Sequence, residues 1–326
     1  MQKRVSGSAR LAPELRIRPT GNVGNQMLQL MVVSDVQRRV PSVELCGHHL
    51  PMWGIAAPCG TPSADDDIVL GGGYIPVRQI AGYFRRGVVD RLTIAALSFH
   101  VGKFGRPQDH SHRFVAPLDL EVEVFGAESI VVSVRAAEIL TDDHPDYGPI
   151  PLSFIEQAVT ASGKHPVFVG QLGDDVYSQA LRQRFPDATF CPSRGELVDF
   201  ETLRRASEIV VSVSTFAWVA AWLSDAKRIH LPVKGLYHPG QRPDLDLLPA
   251  DDPRYVFYEC EVRRWHATPD DFEYLWAPRH HRVLQRHHLR LMKANALRRV
   301  LWSRFVLCAG FARRCRLARW RSHRAE

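Results

Sequence analysis

The sequence predicts an α/β protein: two Rossmann-like, doubly wound domains facing a cleft, followed by a basic helical C-terminal tail. Three observations carry this. Short β-branched runs alternate with amphipathic helical stretches, the pattern of parallel sheets covered on both faces. The alternation comes as two series, separated by a Gly- and His-rich segment at 100–112. Charge is also unevenly spread. Of the chain's 42 Lys/Arg and 35 Asp/Glu, residues 279–326 hold 14 and 1, a local charge of +13, and the rest holds 28 and 34, or −6. At 326 residues and 45% hydrophobic content, the chain can bury one large core or two ordinary ones. The expected organisation is a disordered leader at 1–13, an N-terminal domain at 14–125, a second domain at 126–265 and the tail at 266–326.

In the first series, 14–18 reads as a strand. Pro19-Thr20-Gly21-Asn22-Val23-Gly24-Asn25-Gln26 is a tight glycine loop, and a helix follows over 27–40, with apolar residues at 27, 28, 30, 31, 33 and 36. Gly21 and Gly24 permit positive φ and let backbone approach a ligand closely. Their spacing is not G-x-G-x-x-G, so no dinucleotide fingerprint is present. The amides of Asn22 and Asn25 both donate and accept hydrogen bonds, which suits sugar hydroxyls. A plain turn with a helix cap is the alternative. Short strands follow at 43–45 and 68–70, and an amphipathic helix at 76–92. Asp65, Asp66 and Asp67 precede a strand rather than follow one, so they read as a solvated turn and not as a metal-binding Asp-x-Asp.

The second series opens with a strand at 129–134 that ends at Arg135. A loop at 136–151 leads to a helix at 152–161, a strand at 166–170, a helix at 176–185, a strand at 188–191 and a helix at 200–207. The stretch 207–233 then gives a strand at 209–213, the turn Ser212-Val213-Ser214-Thr215, a compact helix at 216–223 and a strand at 228–232. Ser214 or Thr215 is a natural N-cap. Such a turn, at the carboxyl end of a strand and the start of a helix, is where α/β sheets bind ligands. Its free N–H groups and the positive helix end suit a phosphate, although an ordinary capped core helix has the same composition. Arg135, Glu138 and the 214–216 turn all fall on the carboxyl-end edge of one sheet. A guanidinium there can grip a diphosphate bidentately, and the bland alternative is a surface arginine. Glu138 could steer Arg135 by an ion pair or serve as a base.

Several classes are set aside. Six cysteines (46, 59, 191, 260, 308 and 315) lack C-x-x-C spacing, which reads as reduced thiols without zinc or a disulfide framework. The His-His pairs at 48–49, 280–281 and 287–288 lack partner ligands, so no metal is expected. No stretch of 18 apolar residues could span a membrane, and the basic, polar first residues do not resemble a secretory signal. The expected location is the cytoplasm.

Three blocks resemble one family. They are Gly21-Asn22-Val23-Gly24-Asn25-Gln26-Met27, the strand and arginine over 131–140, and Ser212-Val213-Ser214-Thr215-Phe216-Ala217-Trp218-Val219-Ala220-Ala221-Trp222-Leu223. Together they resemble GT-B glycosyltransferases of the fucosyltransferase superfamily, nearest to bacterial family 11 α-1,2-fucosyltransferase-like proteins. In that family the first block reads close to G-x-x-G-N-Q-M/L-F-Q and the third close to S-x-S-T-F-S-W-W-A-A-W-L. The middle block departs from the family's His-x-Arg-Arg-x-Asp: Ser133 stands at the His position, Arg135 is retained, Ala136 replaces the second Arg, and Glu138 stands at the acid. The resemblance implies inverting transfer of fucose from GDP-fucose to a glycan or lipid-linked glycan hydroxyl, without a cofactor or an essential metal. By position, Arg135 would contact the diphosphate, and Ser214, Thr215 and Phe216 would hold its β-phosphate. Asn25, with Gly21, Asn22, Gly24 and Gln26, would face the sugar or acceptor. Glu138 would orient Arg135 or help deprotonate the acceptor. Trp218 and Trp222, one helical turn apart, read as core. A non-catalytic binding or scaffold protein on the same fold is the competing reading.

From 289 onward, apolar residues at 297, 301, 305, 308, 312 and 315 are interleaved with arginines. This describes a basic amphipathic helix suited to an anionic membrane surface at the cytoplasmic face. Packing on the acidic body ranks second, and nucleic acid ranks last.

Overall fold

The computed structural model describes residues 12–59 and 68–298. Its first elements are β1 (Glu14–Ile17), α1 (Val23–Arg39), β2 (Glu44–Cys46), β3 (His49–Leu50), β4 (Ile55–Ala56), β5 (Ile68–Leu70), α2 (Val77–Arg85), β6 (Arg91–Ile94) and α3 (Gln108–Ser111). Next come β7 (Ser129–Val134), α4 (Leu152–Ser162), β8 (His165–Gly170), α5 (Val176–Arg184), β9 (Thr189–Pro192), α6 (Glu196–Arg204) and β10 (Glu208–Val210). The last are α7 (Thr215–Leu223), β11 (Arg228–Val233), β12 (Tyr255–Glu259), α8 (Pro269–Trp276) and β13 (Val283–Leu284), and residues 286–298 are helical. The acidic triplet at 65–67, most of the leader, and the tail beyond 298 lie outside the described residues. The expected α/β class, with two parallel sheets, is present.

The chain forms two compact units. One comprises Met1–Gly126, Ser193–Ala206 and Ser214–Asp225, and the other comprises the remainder. Helices α6 and α7, which the sequence places at 126–265, therefore group with the N-terminal part of the chain.

The first unit holds a parallel sheet in the order β2-β1-β6-β5. Helix α1 packs against α2 and α7 as well as β1 and β2, which explains why Met27, Leu28, Met31, Val32, Val33 and Val36 are all buried. Gln29, fully buried on the same helix, is satisfied on both ends. Its Nε2 donates to the Arg18 and Ala96 carbonyls (3.3 and 2.9 Å), and its Oε1 accepts from Thr20 N–H (3.1 Å). This one side chain ties the ends of β1 and β6 to the helix. Trp218 and Trp222 are buried on α7 against Phe104, so they are core and cannot stack on a sugar.

Three expectations need correction here. The helix expected over 76–92 stops at Arg85, where Gly87 (φ +62°) reverses the chain. Residues Arg91–Ile94 then form β6, paired between β1 and β5. Helix α1 begins at Val23 rather than 27, so Gly24, Asn25 and Gln26 lie in its first turn and not in a loop. Finally, Cys46 and Cys59 form a disulfide with Cα atoms 5.0 Å apart, contrary to the reduced thiols expected. The β3–β4 hairpin folds the intervening chain back on itself, and Gly47 N–H donates to Ala57 O (2.6 Å). A contact made by a hairpin leaves no mark in cysteine spacing.

The second unit has a sheet of order β13-β12-β11-β10-β7-β8-β9, parallel from β12 to β9 with β13 antiparallel at the edge. In order of appearance the six parallel strands run 6-5-4-1-2-3, the Rossmann order, and the switch point lies between β7 and β10. All six residues of β7 are buried, as a strand covered on both faces requires. Residues 266–284, which the sequence assigns to the tail, carry α8 and β13 and belong to this sheet unit.

A polar chain crosses β10, β11 and β12. Glu208 Oε1 meets His230 Nε2 (2.8 Å), and His230 Nδ1 meets the Tyr258 hydroxyl (2.9 Å). Lys164 Nζ lies 2.9 Å from Glu208 Oε2. Burial alone would raise the Glu208 carboxyl, but the bonds to His230 and Lys164 outweigh it and hold the group at about 2.

Candidate functional site

Within the first unit, the N-termini of α1 and α7 meet. A Cβ on Gly24 would lie 2.5 Å from Phe216 N and 2.7 Å from the Thr215 carbonyl carbon, so only glycine lets the two backbones approach this closely. The Thr215 hydroxyl donates to Asn25 Oδ1 (2.8 Å), binding the first turns of both helices together. Gln26 Nε2 donates to Gly21 O (3.0 Å), and Gly21 takes φ +70° where a Cβ would collide with the Asn25 amide. Asn22 and Ser214 sit at the two N-cap positions, yet neither side chain makes a capping bond to its helix. Two positive helix ends thus converge without a side-chain capping bond from Asn22 or Ser214, which favours an anion or an oxygen-rich ligand. Because the Thr215 proton is committed to Asn25, the N–H groups of this turn are the donors left for an oxyanion. The Asn25 Nδ2 group remains to donate to a hydroxyl.

In the second unit, Arg135 follows β7 at the switch point. It forms an ion pair with Glu138, three residues on in the 3-10 turn Ala137–Leu140. Gln171, just past β8, completes the arrangement: its Nε2 donates to Glu138 Oε2 (3.0 Å) and its Oε1 accepts from Ala136 N–H (3.0 Å). The guanidinium is therefore aimed by a carboxylate that is itself held by an amide. Ser133 and Ser212 share a buried hydrogen bond of 2.9 Å linking β7 to the chain leaving β10. The buried Ala136 fills the position of the second arginine expected from the resemblance.

Sequence reasoning missed Gln171, Gln29 and the backbone contact of Gly24. Gln171 stands one residue beyond a strand end, Gly170, and that position was the only signal available. Among the described residues, one group brings metal-ligand types together: Glu14, Cys46 and Cys59. Its sulfurs are joined to each other, and Glu14 is engaged by Arg16 and Arg91, so this donor set does not suit a cation. No described helix is long and apolar enough to cross a membrane.

No family model and no curated protein matches the chain. Among solved structures, a mutant of Arabidopsis thaliana FUT1 in complex with GDP is similar with a TM-score of 0.47 and 14% identity, over 68% of this chain and 71% of that one. TibC, a bacterial iron-containing dodecameric glycosyltransferase from enterotoxigenic E. coli, is similar at 0.36 and 13%, over 82% and 71%. TibC described as a heptosyltransferase in complex with ADP-D-beta-D-heptose gives 0.35 and 13%, over 90% and 77%. The class of fold assigned to this chain rests on the strand orders given above.

Proposed function

We propose that the chain is a GT-B-type glycosyltransferase that transfers fucose from GDP-fucose, with inversion, to a hydroxyl of a glycan or lipid-linked glycan. The observation that carries this reading is the meeting of two uncapped helix N-termini over Gly24, built from two of the three sequence blocks that resemble fucosyltransferases. As a glycosidic bond to a nucleotide breaks, charge builds on the departing diphosphate. Fixed N–H groups and a guanidinium stabilise that charge without reorganising. Within the first unit the α7 turn offers such N–H groups, and within the second unit Arg135, aimed by Glu138 and Gln171, offers such a guanidinium. Asn25 offers an amide donor to a sugar hydroxyl. The basic tail would hold the enzyme at the anionic cytoplasmic face of a membrane, where lipid-linked acceptors are met.

The test is calorimetric titration of the full chain with GDP and GDP-fucose in EDTA, beside an Arg135→Ala variant. Binding of both ligands that weakens at least tenfold in the variant is expected. UDP- or dTDP-sugars binding in place of the GDP compounds would discard the donor. GDP binding without transfer to any glycan would favour a scaffold that has kept only the fold.

A further inference from the structure

We infer that a second ligand site lies on the second unit, a groove for a neutral saccharide of two or three pyranose rings centred on Trp276. This rests on the glycosyltransferase reading for its biological role but not for its chemistry. Two adjoining hollows of about 500 and 610 Å³ share Val176 and Trp276, each within the range of small-molecule sites, roughly 300–1,000 Å³. The first continues past Gln179 and Gln183 on α5. The second continues past Leu140 and Thr141, two and three residues after Glu138, so the groove begins close in sequence to the candidate site residues of this unit.

Trp276 is 37% exposed and Val176 is 56% exposed. Two other rings hold the indole: Tyr177 and Phe272 lie 6.0 and 6.2 Å away, each inclined by 29°. A large aromatic left open to water but fixed in orientation is a stacking platform, because little entropy remains to be lost when a ligand covers it. One face of a pyranose is a row of C–H bonds, complementary to the negative face of an indole. The hydroxyls at its rim need planar amides and hydroxyls. Gln183 and Thr141 provide these, and so does Gln179, whose Nε2 is anchored on the Asp174 carbonyl (2.8 Å).

Charge argues for a neutral ligand. The cation in the groove, Arg184, is neutralised by Glu156, with Nη2 to Oε2 at 2.9 Å. Backbone strain points to the same place. Of the two described non-glycine residues with positive φ, Ala267 (53°) lines the second hollow and Ala137 (52°) opens the 3-10 turn whose last residue, Leu140, lines it, and such strain collects at binding sites. The two strained segments are tied to each other by the Trp265 indole N–H donating to Ile139 O (2.6 Å).

The test is saturation-transfer NMR of the full chain with lactose, cellobiose and maltotriose as probes, with and without GDP. Wild type should bind at least one probe whether or not GDP is present, and Trp276→Ala should weaken it at least tenfold while leaving GDP binding unchanged. Gln183→Ala, an exposed change that does not threaten folding, should weaken it severalfold. Absence of binding by all three probes, or equal binding by Trp276→Ala, overturns the site. Loss of a dimer on Trp276→Ala, with no saccharide bound, would show the groove to be a contact between two copies and also overturns it. GDP binding without saccharide binding would defeat this inference alone. Saccharide binding without GDP binding would defeat the donor reading and leave the groove standing.

Discussion

At the scale of single residues, Gly24 and Lys234 make predictions opposite to ordinary expectation. Glycine to alanine inside a helix normally stabilises by roughly 0.5–1 kcal/mol. Gly24→Ala should instead destabilise by about 1–3 kcal/mol, because its Cβ would meet the backbone of α7, which cannot move aside cheaply. Gly82→Ala in α2 is the control. Its Cβ would meet only the end of the Arg86 side chain at 3.3 Å, so it should show the ordinary gain in urea unfolding. Lys234, 2% exposed, follows β11 with its ammonium 6.0 Å from the centre of the Tyr274 ring. Burial pushes it down to about 8, from an ordinary 10.5. Between those pH values the unfolded chain binds more protons than the folded one, so stability rises as pH climbs from 8 to 10.5, and the deficit is fully present below 8. Lys234→Met should raise the Tm at pH 7, by on the order of 2–3 kcal/mol of stability. That advantage should shrink as pH approaches 10.5. An unchanged Tm at pH 7 would show that the ammonium is hydrated where it sits.

At the scale of elements, the Glu208–His230–Tyr258 chain binds three strands of the second sheet, and β10 is only three residues long. Since the folded Glu208 carboxyl lies below its ordinary 4.5 at about 2, its contribution is complete above 4.5 and is lost as pH falls towards 2. Glu208→Gln should therefore be less stable than wild type at pH 7, by about 3 kcal/mol, because a buried partner is removed. It should also lose less stability than wild type between pH 4.5 and 2. Circular dichroism across that range checks both arms. The same strands show what could be read beforehand. β7, β8, β10 and β11 are nearly continuous apolar runs, because a central parallel strand is buried on both faces, and they were legible to within a few residues. β6 was not. Just five residues separate its Arg-Leu-Thr-Ile from an amphipathic helix, and only pairing between β1 and β5 makes it a strand. The disulfide and the folding of 266–284 onto the sheet likewise depend on contacts distant in sequence. Of the candidate site, the positions of Arg135, Glu138 and the 214–216 turn at strand and helix ends were visible as pattern. The Gly24 crossing and the Gln171 brace were invisible, because each exists only where two separate elements touch.

At the scale of the whole molecule, charge is the organising quantity. Residues 299–326 carry eight arginines and one glutamate, so the other 298 residues have a net charge of zero against +7 for the chain. A body of zero net charge gains nothing from an anionic bilayer, whereas each arginine near such a surface is worth about 1 kcal/mol. Replacing Arg313, Arg314, Arg316 and Arg319 by Gln keeps the apolar residues and removes four charges. If the tail docks the chain to membrane, sedimentation with vesicles of 30% phosphatidylglycerol should show binding by wild type that falls at least tenfold in this variant. Raising NaCl to about 0.5 M should weaken wild-type binding in the same way, because the Debye length shortens to a few ångströms. Two results would defeat the membrane assignment. Equal binding by both proteins would mean that the tail's charge is spent on carboxylates of the body, and tighter binding to duplex DNA than to the vesicles at equal salt would mean that the tail reads phosphates on nucleic acid. Apolar anchoring separates the remaining cases, since a helix that inserts leucines and aromatics should keep part of its vesicle affinity at high salt while a purely electrostatic contact should lose all of it.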